Sequence, residues 1–141
     1  MTRVDISLLG LPKALEASLK NAECFVNDIG RSEANVIFIQ KDGGMYLKID
    51  AAGSLRRAYD MQRFLHVRGL SVECVEYISA DRDYLLSRAA AGECAISEKY
   101  LRDPAKLTVA IAEAARALHD LNPADCPYAR KTREFLRDFD A

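Results

Sequence analysis

Residues 30–49, GRSEANVIFIQKDGGMYLKI, constrain the fold more than any other stretch of this sequence. Val36, Phe38 and the apolar residues around them form a β-branched and aromatic run. Asp42-Gly43-Gly44 supplies turn chemistry, and a second apolar run follows over residues 45–49. That order predicts a β-hairpin with a short loop. Lys48 falls inside its second strand. Upstream, Gly30-Arg31-Ser32 lets the backbone bend before the first strand, and such a loop can turn amide donors toward an anion. A polar loop and a strand lysine together can hold a phosphate. The same pattern also describes an ordinary turn followed by a solvated edge lysine, and spacing by itself leaves both readings open.

The flanking segments supply the rest of an α+β unit. Leu11, Leu15 and Leu19 recur at helical spacing behind Pro12, which predicts a short amphipathic helix. Residues 23–28 (ECFVND) read as a first strand running into the glycine-serine loop. After the hairpin, Ser54 is a candidate N-cap for a helix over residues 55–68, with Gly69 as its stop. Residues 72–78 and 84–86 read as two further strands about an Asp81-Arg82 turn, giving five strands with one helix between the third and fourth. Ala89-Ala90-Ala91-Gly92 breaks the strand pattern. Asp103 and Pro104 then cap and open a long helix, with Leu107, Ile111, Ala114, Ala115 and Leu118 on one stripe, ending near Asn122-Pro123. A last helical stretch is expected over residues 129–139.

Composition excludes several functions. The 141 residues are 50% hydrophobic and 29% charged, which fits a globular chain with a real core. Twenty Lys and Arg against 21 Asp and Glu leave a net charge of -1, so no overall field draws nucleic acid or an anionic membrane. The basic cluster Arg130, Lys131 and Arg133 is interrupted by Glu134 and Asp138 and reads as a solvated helix face. Cys24, Cys74, Cys94 and Cys126 form no C-x-x-C pair and have no histidines at ligand spacing, so no metal site is expected. Free thiols in a reducing compartment are the expectation. The first residues contain no signal-peptide core and no segment of membrane length, so the sequence reads as cytoplasmic.

Several stretches resemble the amino-terminal part of the aminoglycoside 3'-phosphotransferases. They are DIGRSEANVIFI (28–39), MYLKI (45–49), GSLRRAYDMQRFL (53–65), RDYLL (82–86), AAGE (90–93) and ALHDLNPADCPY (117–128). The last is the most specific, since its Leu-His, Asn-Pro and Asp-Cys-Pro-aromatic series has no generic structural reason to recur. The resemblance implies a protein-kinase-like N-terminal lobe over residues 1–88, built on a five-stranded antiparallel sheet with one packed helix. A hinge and linker over 89–103 and the helical start of an incomplete second lobe over 104–141 would follow.

The resemblance also implies site residues. Lys48 matches the strand lysine that contacts the α- and β-phosphates of ATP, the family's cosubstrate with magnesium. Ser32 matches a loop serine that approaches the phosphates, with Arg31 and neighbouring amides as further donors. Ser87, Arg88, Ala89 and Ala90 match the hinge, where backbone groups hold the adenine. Two positions depart from the family pattern. The helix glutamate that pairs with the strand lysine falls on Ala58, and Asp60 lies about 200° around the helix from it. The catalytic aspartate loop and the metal ligands match nothing in these residues. The expectation is therefore a truncated phosphotransferase of aminoglycoside hydroxyls, inactive alone, with no catalytic or metal-ligating residue of its own and an aminoglycoside pocket that needs the missing lobe. The alternatives are a non-catalytic nucleotide- or protein-binding module, or a lobe complemented in trans. Self-association would run through the exposed face of the 104–121 helix.

Overall fold

The computed structural model describes residues 2–26, 35–92, 95 and 97–128. The chain divides into two compact units, Met1–Ala90 and Ala91–Ala141. The first contains strands β1 (Thr2–Val4), β2 (Glu23–Val26), β3 (Asn35–Gln40), β4 (Met45–Ala51), β5 (Cys74–Ser79) and β6 (Arg82–Arg88), with helices α1 (Lys13–Ser18) and α2 (Arg56–His66). The strands form one sheet in the order β1-β2-β3-β4-β6-β5, and every neighbouring pair is antiparallel. The mixed class and antiparallel sheet match the sequence expectation, with one strand more than the five read there. The added strand is Thr2–Val4, which has little apolar pattern and takes its conformation from pairing with β2, reinforced by an Arg3–Glu23 ion pair of 3.0 Å.

Alternation along the strands divides the sheet into two faces. Ile37 and Ile39 of β3, Met45, Leu47 and Ile49 of β4, and Tyr84 and Leu86 of β6 are buried together. Leu11, Leu15 and Leu19 cover them, which explains the helical spacing of those leucines at the start of the chain. The intervening residues Val36, Tyr46 and Lys48 belong to the opposite face, where only part of the surface is covered. Leu55 and Leu85 are buried but stand apart from the main core.

The start of α2 differs from the expected cap. Ser54 does not cap the helix; its Oγ donates to the Ala51 carbonyl at 2.7 Å. The amide of Leu55, the residue just before the helix, is instead met from a distant strand. Asp83, 0% exposed, accepts from the Leu55 amide at 2.9 Å and the Tyr77 hydroxyl at 3.0 Å through Oδ2, and from Ser79 Oγ at 2.7 Å through Oδ1. A carboxylate at a helix N-terminus also meets the positive end of the helix dipole. Tyr59 of α2 stacks on Tyr77 of β5 with ring centroids 4.5 Å apart, so the same corner is fixed twice. At the other end, the His66 ring lies 3.1 Å from the Ser71 carbonyl, and Gly69 in the left-handed region at φ +72° ends the helix as expected.

In the second unit, α3 (Glu98–Leu101) precedes α4 (Pro104–His119). Asp103 caps α4 as its spacing predicted, accepting from the Lys106 amide at 3.0 Å, with Pro104 in the first turn. Asn122 accepts from the Ala124 amide at 3.0 Å and opens the short 3₁₀ turn Pro123–Asp125. The expected helix over 129–139 lies outside the described residues. Among the described residues no helix is long and apolar enough to cross a membrane, and Cys24 and Cys74 are free thiols.

Burial pushes the Asp83 carboxyl up, but hydrogen bonds from Ser79, the Gly53 and Leu55 amides and Tyr77 outweigh it and hold the group below its ordinary 3.8. A carboxyl with a depressed folded-state pKa adds stability that is fully present above the unfolded value and lost as pH falls through the folded one. Asp83→Asn should lower stability in urea denaturation at pH 7 by about 2 kcal/mol, the order expected for losing charge-assisted hydrogen bonds. The deficit should shrink when the pair is compared below pH 3.8. A deficit independent of pH would contradict an ionised Asp83.

Candidate functional site

The partly covered sheet face holds a cavity of about 310 Å³. Its walls come from Val36 of β3, Tyr46 and Lys48 of β4, Ser87 and Arg88 of β6, and Gln62 of α2, closed at the rim by Val72 and Ala90. All belong to the first unit. Lys48 stands opposite Val36 on one side and Leu85 on the other, inside the sheet, and its side chain is exposed. A strand lysine lining this hollow, beside apolar Val36, Val72 and Ala90 and polar Gln62, Ser87 and Arg88, contributes one compact positive charge there. Tyr46 also meets Phe38, with ring centroids 5.2 Å apart, extending the aromatic wall toward the hairpin. Larger hollows lie elsewhere in the first unit. One of about 520 Å³ at the β1–β2 edge is lined by Arg3, Asp5 and Glu23, where Glu23 already neutralises Arg3, and one of about 530 Å³ borders the hairpin loop.

The sequence-predicted site residues are placed as follows. Lys48 lines the cavity; Arg31 and Ser32 lie outside the described residues. Ser87 and Arg88, expected in a hinge, are the last residues of β6, because the strand continues beyond the apolar run that marked it. The Arg88 amide donates to the Glu73 carbonyl at 3.0 Å, and the Ala89 amide to the Gly44 carbonyl at 2.9 Å. Those two amides are therefore engaged within the unit, and Ser87 reaches the cavity through its side chain. Ala89 and Ala90 follow the strand. Arg88 is held by Glu73 at 3.4 Å and donates to the Asp42 carbonyl at 3.2 Å.

Ala58 is exposed on α2 and has no group to orient Lys48. Asp60, two residues on, pairs with Arg56 at 3.0 Å, and among the described residues Lys48 forms no ion pair. Gln62 went unread in the sequence. It lies one helical turn beyond Ala58 on the same face, the one signal that could have placed it. Its Nε2 donates to the Val72 carbonyl at 3.2 Å and to Ser87 Oγ at 2.9 Å. Among the described residues no three His, Cys, Asp or Glu side chains gather to hold a metal ion.

Comparison with known proteins places this geometry. A model of the phosphotransferase enzyme family matches residues 26–141, including every element of the cavity. The chain belongs to this phosphotransferase family. It is also 32% identical over 138 residues to a probable aminoglycoside 3'-phosphotransferase of Lactococcus lactis subsp. lactis strain IL1403, covering 97% of this chain and 52% of that protein. The chain thus spans about half the length of the curated relative it matches. Phosphotransferase membership agrees with the kinase-like lobe read from the sequence.

Gly44 ties the hairpin to the exit from β6. At φ +97°, a Cβ there would come within 3.1 Å of the Phe38 ring and 3.3 Å of Ala89. Gly44→Ala should therefore lower the thermal midpoint, with a cost of about 1 kcal/mol or more from the backbone alone. An unchanged midpoint would contradict that close approach.

Proposed function

We propose that Met1–Ala90 is the nucleotide-holding lobe of an aminoglycoside phosphotransferase, with ATP as its ligand. The observation that carries this reading is Lys48 opening into a cavity with Val36, Tyr46 and Val72 on the sheet face away from the core. At about 310 Å³ the cavity is at the small end of ligand pockets, roughly 300–1,000 Å³, which suits a base with its phosphates outside. The exposed Lys48 amine is placed to meet those phosphates as a point charge. Ser32 and Arg31, which the family resemblance would place beside the phosphates, lie outside the described residues, and Ala90 would border the base.

The family reaction moves a phosphoryl group from ATP to an aminoglycoside hydroxyl. Such transfer depends on metal charge and on a carboxylate that accepts the hydroxyl proton. The described residues supply Lys48 and no metal cluster, and the role proposed for Met1–Ala90 is to bind the nucleotide. Calorimetric titration with ATP and magnesium tests it. Saturable binding should weaken roughly tenfold in Lys48→Ala, about 1.4 kcal/mol. No saturation at millimolar nucleotide, or binding indifferent to the substitution, would reject it.

A second reading, a lobe completed by a separate chain, is favoured by α4, where Val109, Ile111 and Leu118 are 55%, 58% and 49% exposed. Exposed apolar faces of this kind associate. Sedimentation velocity should then show self-association that rises with concentration and is reduced by Ile111→Asp. A monomer at every concentration would contradict it.

A further inference from the structure

The core face of the sheet ends in two polar residues. The alternation that buries Ile37 and Ile39 of β3 puts Asn35 on the same face, and the alternation that buries Tyr84 and Leu86 of β6 puts Arg82 there. In the ladder Asn35 stands opposite Ile49, and Arg82 opposite Ala51, further along β4. Both are exposed, and among the described residues neither side chain makes a hydrogen bond or an ion pair. They line a hollow of about 270 Å³ together with Ile37, Ile49, Val26 of β2, and Leu8 and Leu9 of the 3₁₀ turn Ile6–Leu9. Asp5 fixes that turn by accepting from the Ser7 amide at 2.9 Å. Leu8 nevertheless stays 84% exposed. Val36 borders both this hollow and the Lys48 cavity, and the two share no other described residue.

We infer that this hollow binds a short aliphatic carboxylate of octanoate's size, its chain against Leu8, Leu9 and Val26 and its carboxylate met by Arg82 and Asn35. Arg82 is the one charge among the described lining residues. A guanidinium offers a fork of N–H donors that matches the two carboxylate oxygens, and the Asn35 amide adds donors of its own. The rest of the lining is aliphatic, so an alkyl chain that covers it, Leu8 included, leaves water at little polar cost. Neither half of the ligand suffices. A small anion leaves the apolar walls wet, and a neutral chain leaves the cation unanswered. At about 270 Å³ the hollow falls just under the roughly 300 Å³ at which ligand pockets begin, which favours a short chain over a long-chain lipid. The site is independent of the nucleotide reading, since Lys48 takes no part in it.

An NMR titration of the 141-residue chain with octanoate, below its micelle-forming concentration, tests the inference. Saturable amide shifts are expected at Leu8, Leu9, Asn35, Ile49 and Arg82, with Lys48, Gln62 and Ser87 unmoved. Butyrate, with half the chain, should bind roughly tenfold or more weakly. The neutral 1-octanol should also bind roughly tenfold more weakly, for want of the charge-assisted bonds. Arg82→Gln should remove the advantage of octanoate over 1-octanol, and Leu8→Ser, at an exposed position, should weaken both ligands. Each variant is checked for an unchanged circular dichroism spectrum. No saturation with millimolar octanoate, shifts centred on the Lys48 face, equal binding of 1-octanol, or an octanoate advantage that survives Arg82→Gln would overturn it.

Discussion

The Asp83 carboxylate is the constraint on which the rest of the first unit depends. It is wholly buried, yet it lies in β6 and accepts from Leu55, the residue just before α2, and from two residues of β5. A buried charge is tolerated only when hydrogen bonds replace its lost hydration. Here those bonds tie the neighbouring strands β5 and β6 to Leu55, 28 residues before Asp83. Because α2 is fixed at its start, Gln62 arrives over the sheet face that carries Lys48. The core under the other face holds the strands together, whereas Asp83 determines where the helix lies on them.

The sheet separates stability from ligand chemistry by the alternation of its strands. In β4, Met45, Leu47 and Ile49 join the core, while Tyr46 and Lys48 line the cavity. A strand slipped by one residue would bury Lys48 and expose Leu47, so the core fixes the register that presents the lysine. The leading leucines of the chain close the core side. They leave the opposite side free for a ligand.

Local signals were legible in the sequence wherever the cause is local. The hairpin about Gly43-Gly44, the leucines at positions 11, 15 and 19, and the Asp103-Pro104 helix start all follow from turn chemistry, helical period and capping. Lys48 was legible as a strand residue, and the family resemblance supplied its candidate role. Features made by contacts distant in sequence were not legible. Ser54 has the chemistry of a cap but bonds the Ala51 carbonyl, while Asp83, 28 residues from Leu55, holds the Leu55 amide beside the helix start. Thr2–Val4 becomes a strand only because β2 offers it an edge. Gln62 looks like a surface helix residue until β6 brings Ser87 beside it. The extent of β6 was misjudged for a similar reason, since ladder bonds to Glu73 and Gly44 carry order past the apolar run.

Membership of the phosphotransferase family and the open cavity support the proposal that the face of the sheet away from the core is where this lobe would meet a nucleotide. Backbone amide chemical shifts followed by NMR during titration with ATP and magnesium test it most directly. The expected result is perturbation concentrated at Val36, Tyr46, Lys48, Gln62, Ser87 and Ala90, with the amides of Leu15, Leu19 and Thr2–Val4 unmoved. Saturating shifts centred on the β1–β2 edge or on α1, with the Lys48 face silent, would contradict it.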